Sequence, residues 1–377
     1  MCGYEGSLRS ELKEKHLKNR RVLLSATVVA IATFCIVTVA GPAIAGEEGP
    51  SDRHSRIVGG TEAGDGEYPF MAEIYDKATH RHICGGALIN KGMVITAAHC
   101  LEGYEPAELA VAVGRTDRSD SGQGQDFGVV ETRLHPRFTE GETSRGYDVG
   151  WLWMDGLAEG VQPVSFPTSG TDALLAPGSE ATVTGWGVQG QDQVNFPDRL
   201  RKVDVPILSS AECAVNGAGF NKLTDLCAGV AGKSFGGGDS GGPLFKVIDG
   251  QVFQIGIVSR SLGYAQQGAP GVYTSTSSRE LWVPVFTADT PPENASVGMA
   301  FEYTFKADKI LARSVKYSFT EGSRVPSGLK LNPDTGVLSG APDATNVNGI
   351  FEFSVAATSD AGTTEGARHR IAILPTQ

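Results

Sequence analysis

A serine set among glycines is the clearest place in this sequence for chemistry. Ser240 follows Asp239 within residues 236–243, which read GGGDSGGP. Glycine has no Cβ and adopts positive φ angles, so such a run can turn sharply and let a substrate approach the backbone. A hydroxyl beside converging backbone N–H groups offers acyl transfer both a nucleophile and donors for the oxyanion. Composition alone also fits an ordinary turn, so the rest of the chain must supply a base and an acid.

The overall composition excludes several classes of function. The chain has 377 residues, enough for two or three domains, and 49 of them are glycine, which fits a turn-rich all-β fold. The formal net charge is −11. An acidic protein repels nucleic acid and anionic membrane surfaces, so neither is expected as a partner.

The N-terminal residues have the order of a secretory signal peptide. Residues 1–21 are polar and basic, residues 22–40 are apolar, and a small-residue cleavage pattern ends at Ala45. We therefore expect a signal peptide over residues 1–45 and secretion of the mature chain to the extracellular space. An uncleaved membrane anchor is the alternative, because about 19 apolar residues can span a bilayer.

Three motifs resemble those of the chymotrypsin/trypsin-like serine proteases. GDSGGP is similar to the family's nucleophile loop, TAAHC to its histidine motif, and YDVGWL to its buried-aspartate motif. The resemblance covers residues 57–286 and implies a double β-barrel with the activity of a serine endopeptidase. It also implies that Ser240, His99 and Asp148 form a catalytic triad, with no metal or organic cofactor required.

The acid of this triad has one alternative in the sequence. Asp155 lies nearby, but Asp155-Gly156 reads as a turn, whereas Asp148 is flanked by apolar residues and should have a buried partner. The resemblance further implies that the N–H groups of Gly238 and Ser240 form an oxyanion hole.

The cysteines indicate disulfides. Six are present, and two of them lie in the leader. An even number of cysteines in a secreted chain favours disulfide pairing. The resemblance implies the pairs Cys84–Cys100 and Cys213–Cys227, the first of which would hold His99 in place.

The segment before the protease region resembles the activation site of a trypsin-like zymogen. Residues 46–56 form a short polar pro-segment that ends in Arg56, and the sequence IVGG begins at Ile57. Cleavage after Arg56 would free the α-ammonium of Ile57, which in the family pairs with the acid beside the nucleophile, here Asp239. A buried carboxylate needs such a partner because its desolvation is costly. A separate activating protease is therefore an expected partner.

The expected substrate pocket departs from the trypsin pattern. Six residues before the nucleophile, where trypsins carry an acid, this chain has Ser234. A neutral residue at the bottom of the pocket, with Gly271 on the pocket wall, predicts an apolar or aromatic side chain before the scissile bond. Phe235 could fill part of the pocket. An alignment shifted by one residue would place Lys233 at the base and favour acidic side chains instead.

Two further departures affect the substrate-binding region. The strand that pairs with substrate reads Ser259-Arg260-Ser261 where most relatives have S-W-G. Most relatives also have a disulfide beside the pocket, but Gly236 and Tyr264 stand at its two positions.

The loop from Arg115 to Asp126 corresponds to one that carries acidic ligands in calcium-binding relatives. Arg115 and Gln125 stand at the ligand positions here. Because a hard cation requires several oxygen ligands, no calcium is expected in this loop.

The C-terminal residues predict a second, smaller domain. A helix is expected from Ser278 to Phe286, and residues 287–292 (TADTPP) have the composition of a linker. Residues 293–377 contain short runs of alternating apolar and polar residues between turn clusters, which predicts a β-sandwich. The expected strands are 301–305, 316–319, 351–355 and 370–374.

The sandwich region also resembles a known class of domain. The segment from Pro326 to Pro342 is similar to the Ig-like (cadherin-like) domains of bacterial surface and secreted proteins. Such a domain would bind a cell-envelope or polymer ligand, or would act only as a spacing module. For the whole chain, the alternative to a protease is a catalytically silent protease-like binding or adhesion protein.

Overall fold

The computed structural model describes residues 59–167, 172–188, 196–215, 219–261, 270–308 and 314–376. The predicted signal peptide, the pro-segment with Arg56, and Ile57 lie outside these residues, as does Tyr264. In the described ranges, no helix is long and apolar enough to cross a bilayer.

The first part of the protease region closes into a barrel. Strands β2 to β7 are antiparallel neighbours in the order β2-β3-β4-β7-β6-β5. Strand β5 reads LAVAV and is buried along its whole length, so one side of it packs in the barrel and the other lies under the surrounding chain. The strands are β1 (Thr61–Glu62), β2 (Met71–Asp76), β3 (His82–Asn90), β4 (Met93–Thr96), β5 (Leu109–Val113), β6 (Gln125–Leu134) and β7 (Gly150–Met154).

A seven-stranded sheet forms the second part. Its order is β1-β9-β8-β11-β12-β13-β10, and a bridge between Ile207 and Ala228 links the segment after β9 to β10, so the sheet curls towards a second barrel. Phe245 and Ile257 of this sheet pack into the core of the first barrel, which joins the two parts. The elements are β8 (Glu180–Gly185), β9 (Arg201–Pro206), α1 (Ser210–Val215), β10 (Asp225–Ala228), β11 (Pro243–Ile248), β12 (Gln251–Ser261) and β13 (Gly271–Ser275).

The C-terminal residues form short sheets around a separate apolar core. Phe305, Phe353 and Ile371 are among its most buried side chains. The all-β prediction is confirmed, including the small Ig-like domain. The strands are β14 (Val285–Ala288), β15 (Asn294–Ser296), β16 (Phe301–Thr304), β17 (Lys306–Asp308), β18 (Lys316–Phe319), β19 (Leu329–Leu331), β20 (Val337–Gly340), β21 (Ile350–Phe353), β22 (Val355–Ser359), β23 (Gly362–Glu365) and β24 (His369–Leu374).

The junction between protease region and C-terminal domain is built differently from the expected helix and linker. Only a 3-10 turn forms, at Arg279–Leu281, and the chain then enters β14, which pairs with β17 of the C-terminal domain. Asp289, in the segment expected to be a linker, accepts hydrogen bonds from the Ala367 N–H (2.6 Å) and contacts His369 Nε2 (2.7 Å). The helix prediction is therefore wrong, because pairing with a distant strand overrides local helix propensity.

Candidate active site

The loop that carries Ser240 is fixed by contacts with both parts of the protease region. The Ser240 carbonyl accepts a hydrogen bond from Gly85 N–H of β3 (2.8 Å), and Gly241 N–H donates to Val258 of β12 (2.8 Å). Gly241 has a φ of 78°, and a Cβ there would lie 2.0 Å from Thr96 Oγ1. Only glycine fits this position, because a side chain would be both strained and in collision.

Two backbone donors of this loop remain available to a ligand. In the described part of the chain, the N–H groups of Gly238 and Ser240 donate to no backbone acceptor, whereas Asp239 N–H between them bonds to Gly236 (3.2 Å). Gly238 has a φ of 93°, in the left-handed region that glycine favours. The loop therefore presents the pair of donors that an oxyanion hole requires.

His99 lies at the seam between the two parts and faces a carboxylate. It belongs to the 3-10 turn Ala98–Cys100, where its backbone N–H bonds Asp148 Oδ1 (3.0 Å) and its Nδ1 lies 2.8 Å from Asp148 Oδ2. The His99 side chain remains 24% exposed, and Asp148 is fully buried. Two contacts from one carboxylate to one residue fix both the position and the orientation of the imidazole.

Asp148 is ionised although it is buried. Burial alone would raise the pKa of the Asp148 carboxyl, but the hydrogen bond and charge of His99 outweigh burial and hold the pKa below its ordinary value. The Ser259 hydroxyl adds a third donor, 2.6 Å from Asp148 Oδ2. The alternative acid, Asp155, instead accepts from Gly128 N–H on an exposed edge of the barrel.

The structure brings His99 and Ser240 to the same seam without a hydrogen bond between their side chains. The predicted disulfide Cys84–Cys100 explains how they come together. Cys84 precedes the residue of β3 that holds the Ser240 carbonyl, and Cys100 follows His99. The second predicted disulfide, Cys213–Cys227, is also confirmed and joins α1 to β10.

Asp239 is a buried carboxylate whose hydrogen-bond donors among the described residues are both uncharged backbone N–H groups. Gly187 N–H (2.6 Å) and Gly236 N–H (2.7 Å) donate to it. Burial raises the pKa of Asp239 to about 6, because these two bonds and the charge of His82 only partly offset the desolvation of the carboxylate. The predicted partner of Asp239, Ile57, lies outside the described residues.

Comparison with known proteins agrees with this geometry. The family model described as "Trypsin" matches residues 57–283, and the one described as "Putative Ig domain" matches residues 283–373. The chain belongs to the trypsin family. It is 36% identical to "Trypsin-1" of Astacus astacus over 240 residues, which are 60% of this chain and 98% of that protein.

A second relative covers the same region of the chain. "Coagulation factor XI" of Bos taurus is 33% identical over 242 residues, 61% of this chain but only 37% of that longer protein. The family membership makes this trypsin-family chain a serine endopeptidase that acts on peptide or protein substrates.

The predicted specificity pocket of this trypsin-family chain contains an aromatic ring. Ser234, the residue expected at its base, is buried, and a Cβ on Gly271 would lie only 2.3 Å from Phe235 Cε1. The Phe235 ring also packs edge-on against Tyr273 (5.3 Å between ring centroids). The small Gly271 therefore does not leave that wall open, because Phe235 occupies the space beside it.

The strand that was expected to pair with substrate is shaped by a buried ion pair. The Ser259 hydroxyl points at Asp148, and Arg260 turns inward to bond buried Asp225 and the Gly219 carbonyl. Ser261 ends β12 opposite Gly271. The charge of Arg260 is therefore paired with that of Asp225 and is not presented free to the cleft.

Arg115 occupies the loop for which no calcium was expected. Its guanidinium bonds the Gln123 carbonyl (2.9 Å) and Asp126 Oδ2 (2.6 Å). In the described ranges, the one group of metal-ligating side chains close to one another is Cys84, His99 and Cys100, and both of its sulfurs are already joined in the disulfide.

A second histidine–carboxylate pair was missed by the sequence analysis. His82 in β3 places Nδ1 3.1 Å from Glu73 Oε1 in β2 and Nε2 2.9 Å from the Gly238 carbonyl. Both side chains are almost completely buried. A polar residue in the middle of the apolar strand MAEIY is the sequence signal that would have pointed to this pair.

Proposed function

We propose that this trypsin-family endopeptidase hydrolyses peptide bonds through Ser240, His99 and Asp148. The proposal rests on the contact of His99 Nδ1 with buried Asp148 and on the loop of Ser240, where the N–H groups of Gly238 and Ser240 donate to no backbone acceptor among the described residues. A carboxylate on Nδ1 fixes the tautomer that leaves Nε2 free to accept a proton.

The residues then act in a defined order. Ser240 Oγ attacks the carbonyl carbon while His99 Nε2 takes the hydroxyl proton, and the new oxyanion accepts from the N–H groups of Gly238 and Ser240. His99 returns the proton to the leaving amine, and an acyl-enzyme on Ser240 remains. Water, deprotonated by His99, then attacks the acyl carbon, the bond to Ser240 Oγ breaks, and Oγ takes the proton back from His99 as the acid product leaves. Asp148 stabilises the imidazolium in both steps.

The Ser240→Ala variant tests this assignment against a catalytically silent binding or adhesion protein. Full-length chain cleaved after Arg56 should hydrolyse a peptide library, and the matched variant should not. Unchanged hydrolysis by Ser240→Ala would remove Ser240 from the mechanism. No hydrolysis by the correctly cleaved wild type would favour the silent binding protein.

We further propose that the chain is secreted as a zymogen and activated by a second protease that cuts after Arg56. The support is the raised pKa of buried Asp239, which lacks a directly bonded cation among the described residues. A new α-ammonium at Ile57 would supply that cation and lower the cost of the buried charge. An Arg56→Gln chain should stay inactive when incubated with an Arg-specific protease that activates the wild type.

For specificity, we propose an apolar side chain before the scissile bond. A neutral Ser234 at the base and the Phe235 ring beside Gly271 give the pocket apolar walls and no carboxylate to bind Lys or Arg. The Phe235→Ala variant should raise kcat/KM for bulky aromatic over small aliphatic residues by about 10- to 200-fold, as expected when an apolar pocket changes in volume. A wild-type preference for Lys or Arg would contradict this pocket assignment.

The C-terminal domain is proposed to bind a cell-envelope or polymer ligand. A cleft on it is lined by Arg324, Arg368 and Glu352 beside Ile350, so it offers charged donors next to an apolar surface. Sedimentation of the Ser240→Ala full-length protein with insoluble cell-wall and polysaccharide fractions tests the idea, with Arg368→Ala as the matched variant. Failure of both proteins to sediment would leave the domain as a spacing module.

A further inference from the structure

The residue before Asp148 has a strained backbone. Tyr147 has a φ of 59°, in the left-handed region that an aromatic residue rarely adopts. The chain turns sharply at Asp148, because the Val149 N–H donates to the Tyr147 carbonyl (2.8 Å), and Thr274 Oγ1 donates to the Asp148 carbonyl (2.8 Å). A strained residue keeps its conformation only where the surrounding structure holds it. The contacts of the Tyr147 side chain therefore bear on the position of Asp148.

The Tyr147 side chain is held by two residues of the segment after β6. The His135 ring stacks on it, with 4.9 Å between the ring centroids. Arg137 Cζ lies 5.6 Å from the Tyr147 ring centroid, and Arg137 Nη1 donates to the Tyr147 hydroxyl (3.3 Å). A cation near an aromatic ring is attracted to it, so Arg137 restrains Tyr147 through both its ring and its hydroxyl.

Arg137 is connected in turn to the junction with the C-terminal domain. Its Nη1 lies 3.1 Å from Glu280 Oε2, in the 3-10 turn Arg279–Leu281. The neighbouring Arg279 donates through Nε to the Ala361 carbonyl (3.0 Å), which lies between β22 and β23 of the C-terminal domain. Gly362 follows with a φ of 140°, and a Cβ there would lie 2.4 Å from Arg279 Nη2. A side chain at this glycine would displace the guanidinium, so the two surfaces fit closely here.

We propose that Tyr147 is a positioning residue for Asp148 and that the C-terminal domain supports it through the junction turn Arg279–Leu281. The inference rests on the proposed role of Asp148 in the triad. The domain acts by limiting the movement of the turn that carries Asp148, so that the carboxylate stays on His99 Nδ1. A catalytic group displaced by about 1 Å can cost about 10²-fold in rate, so modest support of this turn has a measurable effect.

The exposure of the connecting side chains sets the size of the expected effect. The Arg137 and Glu280 side chains are 32% and 42% exposed, and an ion pair this exposed contributes little. Glu280→Gln and Arg279→Met should each lower kcat by about two- to fivefold at unchanged KM. Arg137→Met loses the contacts to both Glu280 and Tyr147 and should cost about tenfold. The double variant at positions 137 and 280 should lose no more than Arg137→Met alone, because both changes break one connection.

A matched pair at Tyr147 separates the ring contacts from the backbone strain. Tyr147→Phe keeps the ring and loses only the hydroxyl, so it should retain kcat within about twofold. Tyr147→Asn tolerates the positive φ but has no ring for His135 and Arg137 to hold, so it should lose about tenfold in kcat. If backbone strain alone mattered, the Asn variant would be at least as active as wild type.

The Asp148→Asn background separates positioning from general damage to the structure. Because the connection acts through Asp148, adding Arg279→Met or Tyr147→Asn to Asp148→Asn should change kcat by less than about twofold. General damage would lower kcat in both backgrounds. Lys316→Gln is the control within the C-terminal domain, since Lys316 pairs with Asp334 and both side chains are exposed.

The experiment measures kcat and KM for full-length chain cleaved after Arg56, with a peptide amide substrate and well below the thermal unfolding midpoint of each variant. Losses of kcat in Arg279→Met and Tyr147→Asn that disappear in the Asp148→Asn background support the proposal. Wild-type kcat in either variant, or losses that persist in that background, overturns it. If Tyr147→Asn does not fold, Arg279→Met decides, because Arg279 is exposed. Unchanged kcat in Asp148→Asn itself would instead refute the proposed function.

Discussion

Two histidines in the described part of the protease region each face a carboxylate, and they differ in what surrounds the rest of the ring. His99 contacts Asp148 at 2.8 Å and His82 contacts Glu73 at 3.1 Å. The His99 side chain is 24% exposed towards the cleft, whereas that of His82 is fully buried and its Nε2 meets the Gly238 carbonyl. The His99 ring is therefore accessible from the cleft, whereas the His82 ring is enclosed between two protein acceptors.

The difference shows that a histidine–carboxylate contact does not by itself define a catalytic base. Burial would raise the pKa of both carboxyl groups, but His99 at Asp148, and His82 with Arg118 at Glu73, outweigh burial and hold each pKa below its ordinary value. The role follows from access to the ring, which is partly exposed for His99 and fully buried against a protein acceptor for His82.

Loss of His99 should have the largest effect on catalysis. His99→Ala removes the base that activates Ser240, so kcat/KM should fall by about 10⁴- to 10⁶-fold. His80→Asn is the matched control, since His80 is exposed and has a positive φ of 55°, a conformation that Asn tolerates. Comparable losses in both variants would mean that the effect is structural.

The two carboxylates should differ strongly in their contribution to kcat. Asp148→Asn leaves His99 in the wrong tautomer and should lower kcat by about 10⁴-fold. At the pH of maximal activity, Glu73→Gln should cost less than about 10²-fold, because it acts only through the Gly238 peptide. Equal losses of kcat in the two variants would show that the two histidine–carboxylate pairs do not differ in their contribution to catalysis.

Asp239 provides a third buried carboxylate, without a histidine bonded to it. Its pKa is raised to about 6, above the unfolded value, so its contribution is favourable below about pH 4 and is lost as the pH rises through about 6. Lowering the pH from 8 to 4 should therefore raise the unfolding free energy of the uncleaved wild type, relative to that of Asp239→Asn, by about 1–3 kcal/mol, measured by denaturant unfolding.

The same substitution should also affect the cleaved chain. If the Ile57 ammonium pairs with Asp239, Asp239→Asn removes that pair and should abolish most of the activity of the cleaved chain. An activity equal to wild type would show that activation does not depend on this carboxylate.

Removal of either disulfide should have the smallest effect on catalysis in this series. Comparison of the two should distinguish a loss of stability from a loss of kcat. Cys84–Cys100 closes a separation of 16 residues and Cys213–Cys227 one of 14, so removing either as a double Cys→Ala variant should cost about 3 kcal/mol of unfolding free energy. Only the first joins the strand of His82 to the turn of His99, so only its loss should also lower kcat. An equal drop in kcat on removal of Cys213–Cys227 would show that the position of Cys84–Cys100 beside the two histidines does not explain the loss.

Features encoded in short local motifs could be predicted from the sequence. The motifs around Ser240, His99 and Asp148 each lie within a few residues, and both disulfide pairs are confirmed. The predicted strand at 316–319 matches β18. The helix expected from Ser278 was wrong because β17 lies further along the chain and was not part of the local pattern.

Contacts between distant segments could not be predicted. His82 and Gly238 are separated by 156 residues, and Glu73 lies in a strand whose apolar pattern gives no partner for its carboxylate. The Phe235 ring beside Gly271 likewise depends on the packing of β13 against the loop before Ser240. Such buried polar and aromatic contacts are set by the tertiary fold rather than by neighbouring residues.

Covalent labelling of the nucleophile tests the proposed triad of Ser240, His99 and Asp148. Full-length chain cleaved after Arg56 is treated with an alkyl fluorophosphonate, which reacts with an activated serine hydroxyl, and the modified residue is located by peptide mass spectrometry. The proposed triad predicts one label, on Ser240, and its loss in both Ser240→Ala and His99→Ala. A label on another residue, or labelling of Ser240 that persists in His99→Ala, would contradict it.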